Sequence, residues 1–233
     1  ALVGGAGLIV FPLMLAVGIP PVAASATLQV AIAPANSLAA LADRGKLPPV
    51  SPALLWMLAV TAAAGGVGGA LLLLTPERWF AGIVPALIGF ATLLFAFAEP
   101  IKRAIARRRA GHDATLGPVI APIGLLSIYG GYFGAGLGVM YLALLTLGGI
   151  SDLRTANALK NLMGPVCGIA AIAIFVWADA VIWPAAFATM AGSAIGGYAG
   201  GYAMRHIPPI AFRRGVVAVG AVMTASYAWR YWF

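Results

Sequence analysis

Apolar residues along this chain come in runs of roughly 20, long enough for a helix to cross the hydrocarbon core of a bilayer, and the polar residues gather in the short gaps between the runs. In order, the pattern predicts a short segment Ala1 to Val17, headed by Gly4, Gly5 and Gly7, then a helix from Val22 to Ala42 interrupted by Pro34. Spans follow at Pro52 to Leu74 and at Trp79 to about Pro100. Beyond a basic stretch come Pro118 to Leu147, Asp152 to Trp177, Val181 to Met204 and Ile210 to Trp229. The gaps carry helix-stopping chemistry, as in Gly18-Ile19-Pro20-Pro21 and Thr75-Pro76-Glu77-Arg78. The run from Pro118 is too rich in glycine between Gly130 and Gly138, GGYFGAGLG, to form an unbroken helix. The predicted class is an all-α polytopic membrane protein.

The two halves of the pattern repeat. At an offset of 131, Pro34 falls on Pro165, Gln29 on Lys160, Gly65-Gly66 on Gly196-Gly197 and Gly69 on Gly200. At two residues less, GAGL at 5 to 8 falls on GAGL at 134 to 137. The expected organisation is therefore an internal duplication: residues 1–100 as the first repeat, 101–117 as a basic cytoplasmic loop and 118–233 as the second repeat. By the symmetry of the repeats, about 15 to 30 residues are expected ahead of Ala1. Charge then sets the orientation. With Lys102, Arg103, Arg107, Arg108 and Arg109 inside, the Arg44 to Lys46 loop is also inside, and Glu77-Arg78 is outside. Placing Arg205, Arg213 and Arg214 inside as well requires Pro118 to Leu147 to enter and return as a hairpin of two half-helices, which inverts the second repeat relative to the first. Trp177 and Trp183, flanking Asp179, then mark the outer interface.

Composition narrows the function. Hydrophobic residues make up 62% and charged residues 9% of the 233, against about a quarter charged in a soluble domain. The 14 Lys and Arg outnumber six Asp and Glu, and their clustering in short loops points to anionic lipid headgroups, not nucleic acid. A single cysteine, Cys167, excludes an internal disulfide and a cysteine metal cluster. With His112 and His206 both in predicted loops, no metal or cofactor site is expected.

The candidate chemistry centres on NALKNLMGP, Asn157 to Pro165. Lys160 stands seven residues beyond Leu153, roughly 10 Å into a hydrocarbon core about 30 Å thick. Asn157 and Asn161 share its helical face, which Gly164 and Gly168 extend. Two readings of Lys160 remain open: snorkelling to the nearer interface, or holding a small anion. Pro34 and Pro165 each free a backbone carbonyl, at Val30 and Asn161, and predict a cavity between the repeats that Gln29 and Asn36 also face. The glycine stretches holding Gly5 and Gly7, and Gly134 and Gly136, either present half-helix N-termini to an anion or serve close packing. No βαβ unit accompanies them, so a nucleotide loop is excluded. Gly65 and Gly69, and Gly192, Gly196 and Gly200, predict close helix contacts. A set of acid, base and nucleophile for a lipid-acting enzyme is not visible, and no catalytic residue is assigned.

Two copies of a GxG element, a turn and a helix of the kind ATLQVAIAPANS or ANALKNLMGPVCGIAAIAIF resemble the toluene sulfonate uptake permease family, the TauE/SafE-like sulfite exporters. RTANALKNL followed by GSAIGGYAGGYAMRHIPP is the more specific part. The resemblance implies a multi-pass carrier of the cytoplasmic membrane for small sulfur-containing anions such as sulfite, sulfonates or sulfoacetate, with another small organic anion as the alternative substrate. The usual serines and threonines early in the second helix of each repeat are present as Ser25 and Thr27 but replaced by Ala156 and Ala158 in the second copy. A homodimer is a further expectation, from the small-residue helix faces.

Overall fold

The computed structural model describes residues 6–107, 119–150, 152–203 and 209–232. Among these are nine α-helices and no strand: α1 (Ala6–Ala16), α2 (Pro21–Ala42), α3 (Pro52–Leu74), α4 (Glu77–Arg107), α5 (Ile120–Tyr132), α6 (Leu137–Leu147), α7 (Leu153–Trp177), α8 (Trp183–Ala203) and α9 (Pro209–Trp232). A 3-10 turn, Arg44–Lys46, follows α2. Four of the helices, α2, α3, α7 and the Glu77–Phe97 part of α4, are long and apolar enough to span a membrane.

Local chemistry sets most of the ends. Proline opens α2 and α3, where its missing N–H costs nothing. Ser51 caps α3 by accepting the Leu54 N–H at 3.2 Å, and Asp152 caps α7 by accepting from Arg154 and Thr155, both at 3.1 Å. Helices α1 and α6 end alike. Gly18 at φ 88° and Gly149 at φ 94° reverse the chain, and the Ile19 and Ile150 N–H groups reach back to Met14 and Leu145.

Two helices run further than their sequences predict. Pro34 does not interrupt α2, which continues through it as α7 continues through Pro165; a proline removes one hydrogen bond, and the surrounding turns still close. The span expected to end near Pro100 extends to Arg107. The first part of the expected 101–117 loop is thus helical, because Lys, Arg, Ala and Ile in KRAIAR sustain a helix once it has started.

Helix α3 is the packing hub. It lies between α5 and α7, and its glycines allow backbone contact on both sides: the Ile128 carbonyl lies over Gly68, the Cys167 carbonyl over Gly65, and Ala170 and Ala171 over Gly66 and Gly69. Gly131 of α5 returns the arrangement against the Gly65 carbonyl. The matching stripe on α8 does not pack this way. Gly192 and Gly196 have no atom within 4 Å of where a β-carbon would sit, and the surroundings of Gly200 lie outside the described residues. Small residues permit close approach but do not cause it. In α3 the facing backbones of α5 and α7 complete the contact.

The run from Pro118 to Leu147 is broken as its glycines predict, between Tyr132 and Leu137. Val119, just before α5, packs against Gly148, just after α6, so the pair returns to the side it came from. Ser127 of α5 and Tyr141 of α6 share a buried hydrogen bond of 2.7 Å across this hairpin. Tyr141→Phe should lower stability by about 1 kcal/mol, the usual net worth of such a bond, as measured by thermal unfolding in detergent; no loss would mean that the Ser127 bond to the Ile123 carbonyl at 2.7 Å suffices.

Candidate functional site

The break between α5 and α6 is held open by backbone geometry that glycine tolerates. Gly134 sits at φ 74° and Gly136, the N-cap of α6, at φ 80°, both in the left-handed region that side chains disfavour. The Tyr129 carbonyl accepts from Phe133 and Gly134 at 2.9 and 3.1 Å, and the Tyr129 hydroxyl donates to the Ala135 carbonyl at 2.6 Å. Helix α2 satisfies the remaining end of α5. Gln29 Nε2 donates to the Gly131 carbonyl at 3.0 Å, and the Ser25 hydroxyl to the Tyr132 carbonyl at 3.3 Å.

The other glycine-rich element meets this one. In the first turns of α1, Gly7 faces Ala135 and Leu28, and Phe11 stands edge-on to Phe133 with ring centroids 5.1 Å apart. The N-terminal ends of two short helices, α1 and α6, therefore lie at one junction, lined by α2. Gly5 lies outside the described residues.

Lys160 approaches this junction from α7. It is only 9% exposed, and its aliphatic stem runs 3.5 Å from the position a β-carbon would take on Gly138, in the first turn of α6. The start of a helix carries a partial positive charge. The stem of a buried lysine lies beside it, and that lysine's charge also acts on Asp43.

Asn157 and Asn161 point to a group that the sequence pattern did not single out. Asp43, the residue after α2, accepts from Asn161 Nδ2 at 2.7 Å and from Asn157 Nδ2 at 3.4 Å through Oδ2, while its Oδ1 takes Lys46 Nζ at 2.6 Å. Those bonds, Lys46 first and Asn161 second, with added attraction from Lys46 and Lys160, hold the Asp43 carboxyl below the usual carboxylate range. It stays ionised at neutral pH, and its bonds are lost only as pH falls through that lowered value. The C-terminal end of α2 thus sits beside the first turns of α7. With the Thr27 hydroxyl near the start of α2 accepting the Ile182 N–H at 3.0 Å, just beyond α7, the two helices run antiparallel.

Of the residues expected to face a common site, Gln29, Gly7, Gly134 and Gly136 gather at the junction. Lys160 links it to the Asn157–Asn161–Asp43 cluster. Asn36 is half-buried on α2, two turns beyond Gln29, and is not among the partners of Asp43. Gly164 faces open space. The Asp43 contact had one legible signal: the charge-derived topology places the Arg44–Lys46 loop and the start of the Leu153 helix on the same side of the membrane. Thr27 and Ser25, noted only as a family feature, serve as a cap and a bridge. Their counterparts Ala156 and Ala158 are fully buried, where a hydroxyl would need a partner.

Broken half-helices meeting beside a buried lysine within a bundle of membrane-length apolar helices define a multi-pass membrane protein of transporter type. The family model for Sulfite exporter TauE/SafE matches residues 1–227. The chain belongs to that family and is a membrane transporter. It is similar to a "Probable membrane transporter protein" of Haemophilus influenzae, 29% identical over 236 residues that take in 100% of this chain and 91% of the relative. It is also similar to "Probable membrane transporter protein ORF9" of a Sinorhizobium species, 29% identical over 211 residues, 88% of this chain and 77% of that one. No solved structure matches it.

Proposed function

We propose that the protein is a carrier of the cytoplasmic membrane that binds a small sulfur-containing anion, such as sulfite or an organosulfonate, between two inverted repeats and exposes it alternately to either side. One observation carries this reading: Lys160, nine-tenths buried in a membrane-length helix, lies against the first turn of α6 and on the same helix as two carboxamides. Positive charge, a helix N-terminus and neutral N–H donors are what a small oxyanion needs in place of water. Duplication is supported by α1 and α6, which end in the same reversed turn at an offset of 131, and inversion by the repeat counterparts α2 and α7, which run antiparallel. The family match favours sulfur oxyanions over other small anions.

The test is thermal stability of the purified protein in detergent against sulfite, sulfate, methanesulfonate, taurine, sulfoacetate and matched carboxylates. A ligand of the folded state at 100 times its Kd should add about 2.7 kcal/mol of stability. A saturable shift with sulfur oxyanions is the expected outcome. A shift with carboxylates alone would replace sulfur anions by another organic anion, and no shift with any of them would end the anion reading.

A further inference from the structure

The donors that this reading assigns to the substrate are already engaged by a carboxylate of the same chain. Asp43 is a fixed anion whose side chain is 17% exposed. Its two oxygens are shared out among Lys46, Asn161 and Asn157, and the charge of Lys160 acts on it from α7. Lys46, on the 3-10 turn, is its only salt-bridge partner among the described residues, and that side chain is 52% exposed. A carboxylate and one edge of a sulfite or sulfonate present similar pairs of acceptor oxygens; each Nδ2 has two N–H groups, so the conflict is one of charge, since a second anion on these carboxamides would stand beside the Asp43 carboxylate.

Resting on the anion-carrier reading, we propose that Asp43 is an internal competitor for the substrate: it occupies the Asn157–Asn161 donors when no anion is bound, and an incoming oxyanion displaces it. The displacement has a structural consequence. Those bonds add a polar link between the C-terminal end of α2 and the first two turns of α7, whose helices also pack against each other. Releasing them removes that link between two antiparallel helices that line the site, so arrival of the substrate loosens the closure at that end of the protein. Specificity follows as well. An anion has to outcompete a tethered carboxylate, which favours oxyanions with three oxygens and a full charge over those with a single weak acceptor edge.

The experiment uses the full chain and two probes, sulfite and methanesulfonate. Binding is measured for the wild type, Asp43→Ala, and Asp43→Asn, which keeps the shape and removes the charge. The expected result is roughly tenfold tighter binding in Asp43→Ala, since a competitor has been removed, with Asp43→Asn in between. A second readout needs no substrate. In Asn157→Cys, with Asn161 intact and Cys167 buried, the new thiol should react several-fold faster with a maleimide when combined with Asp43→Ala. Wild type that binds the probes no more weakly than Asp43→Ala and Asp43→Asn would overturn the competition, and an unchanged labelling rate would overturn the tie between α2 and α7. If none of the three proteins binds either probe, it is the anion-carrier reading that fails, and the proposal falls with it.

Discussion

Gly68→Ala should cost about 3 kcal/mol or more of stability, the upper end of what overpacking does, although alanine is the better helix former by about 1 kcal/mol. The added β-carbon would fall on the Ile128 carbonyl of α5. That atom is main chain in the middle of a helix, so no rotamer change relieves the clash and the two helices must separate. Separation removes the reciprocal contact of Gly131 with Gly65 and opens the hairpin that carries the junction. Gly192→Ala on α8 is the matched control, because nothing lies within 4 Å of its β-carbon position; it should be neutral or mildly stabilising. Thermal unfolding in detergent reads both. Equal effects at the two positions would mean that α3 and α5 do not touch as described. Gly68→Ala combined with Gly131→Ala should cost less than the sum, because helices already parted by the first change meet less of the second.

That contrast also marks where sequence reasoning reaches its limit. The stripes Gly65 to Gly69 and Gly192 to Gly200 look equivalent, yet only the first has the backbones of α5 and α7 against it among the described residues. What faces a small residue is a tertiary fact. Span positions were more legible: the Pro52 to Leu74 and Asp152 to Trp177 segments form helices at nearly those bounds, because hydrophobic length and capping chemistry are both written locally. The break at GGYFGAGLG was legible for the same reason, since only glycine sits easily at the φ angles of Gly134 and Gly136. The end of α4 was not, because Glu99-Pro100 reads as a stop and the residues beyond it are good helix formers. Asp43 was hidden by its place in a loop. A carboxylate next to Arg44 and Lys46 reads as a surface charge until α7 is known to lie beside it.

Lys160→Met should leave the fold intact and weaken oxyanion binding by about ten- to a hundredfold, the equivalent of one charge-assisted hydrogen bond at about 1.5–3 kcal/mol. Methionine keeps an unbranched apolar stem to lie against Gly138 and discards the ammonium, so it separates charge from packing. Asp43 retains Lys46 and the two carboxamides in this variant, which is why the closure between α2 and α7 should persist. A lysine that only snorkels gives a different pattern: losing its charge would leave binding unchanged and raise stability, because an ionised group in an apolar span is costly. Lys160→Arg completes the series. Its charge is kept on a longer, planar head with different hydrogen-bond geometry, so binding should fall less than with methionine. Titration of wild type and both variants with sulfite decides the matter: wild type tightest, arginine intermediate and methionine weakest places the charge of Lys160 on the substrate, whereas equal affinities across the three would remove Lys160 from the site.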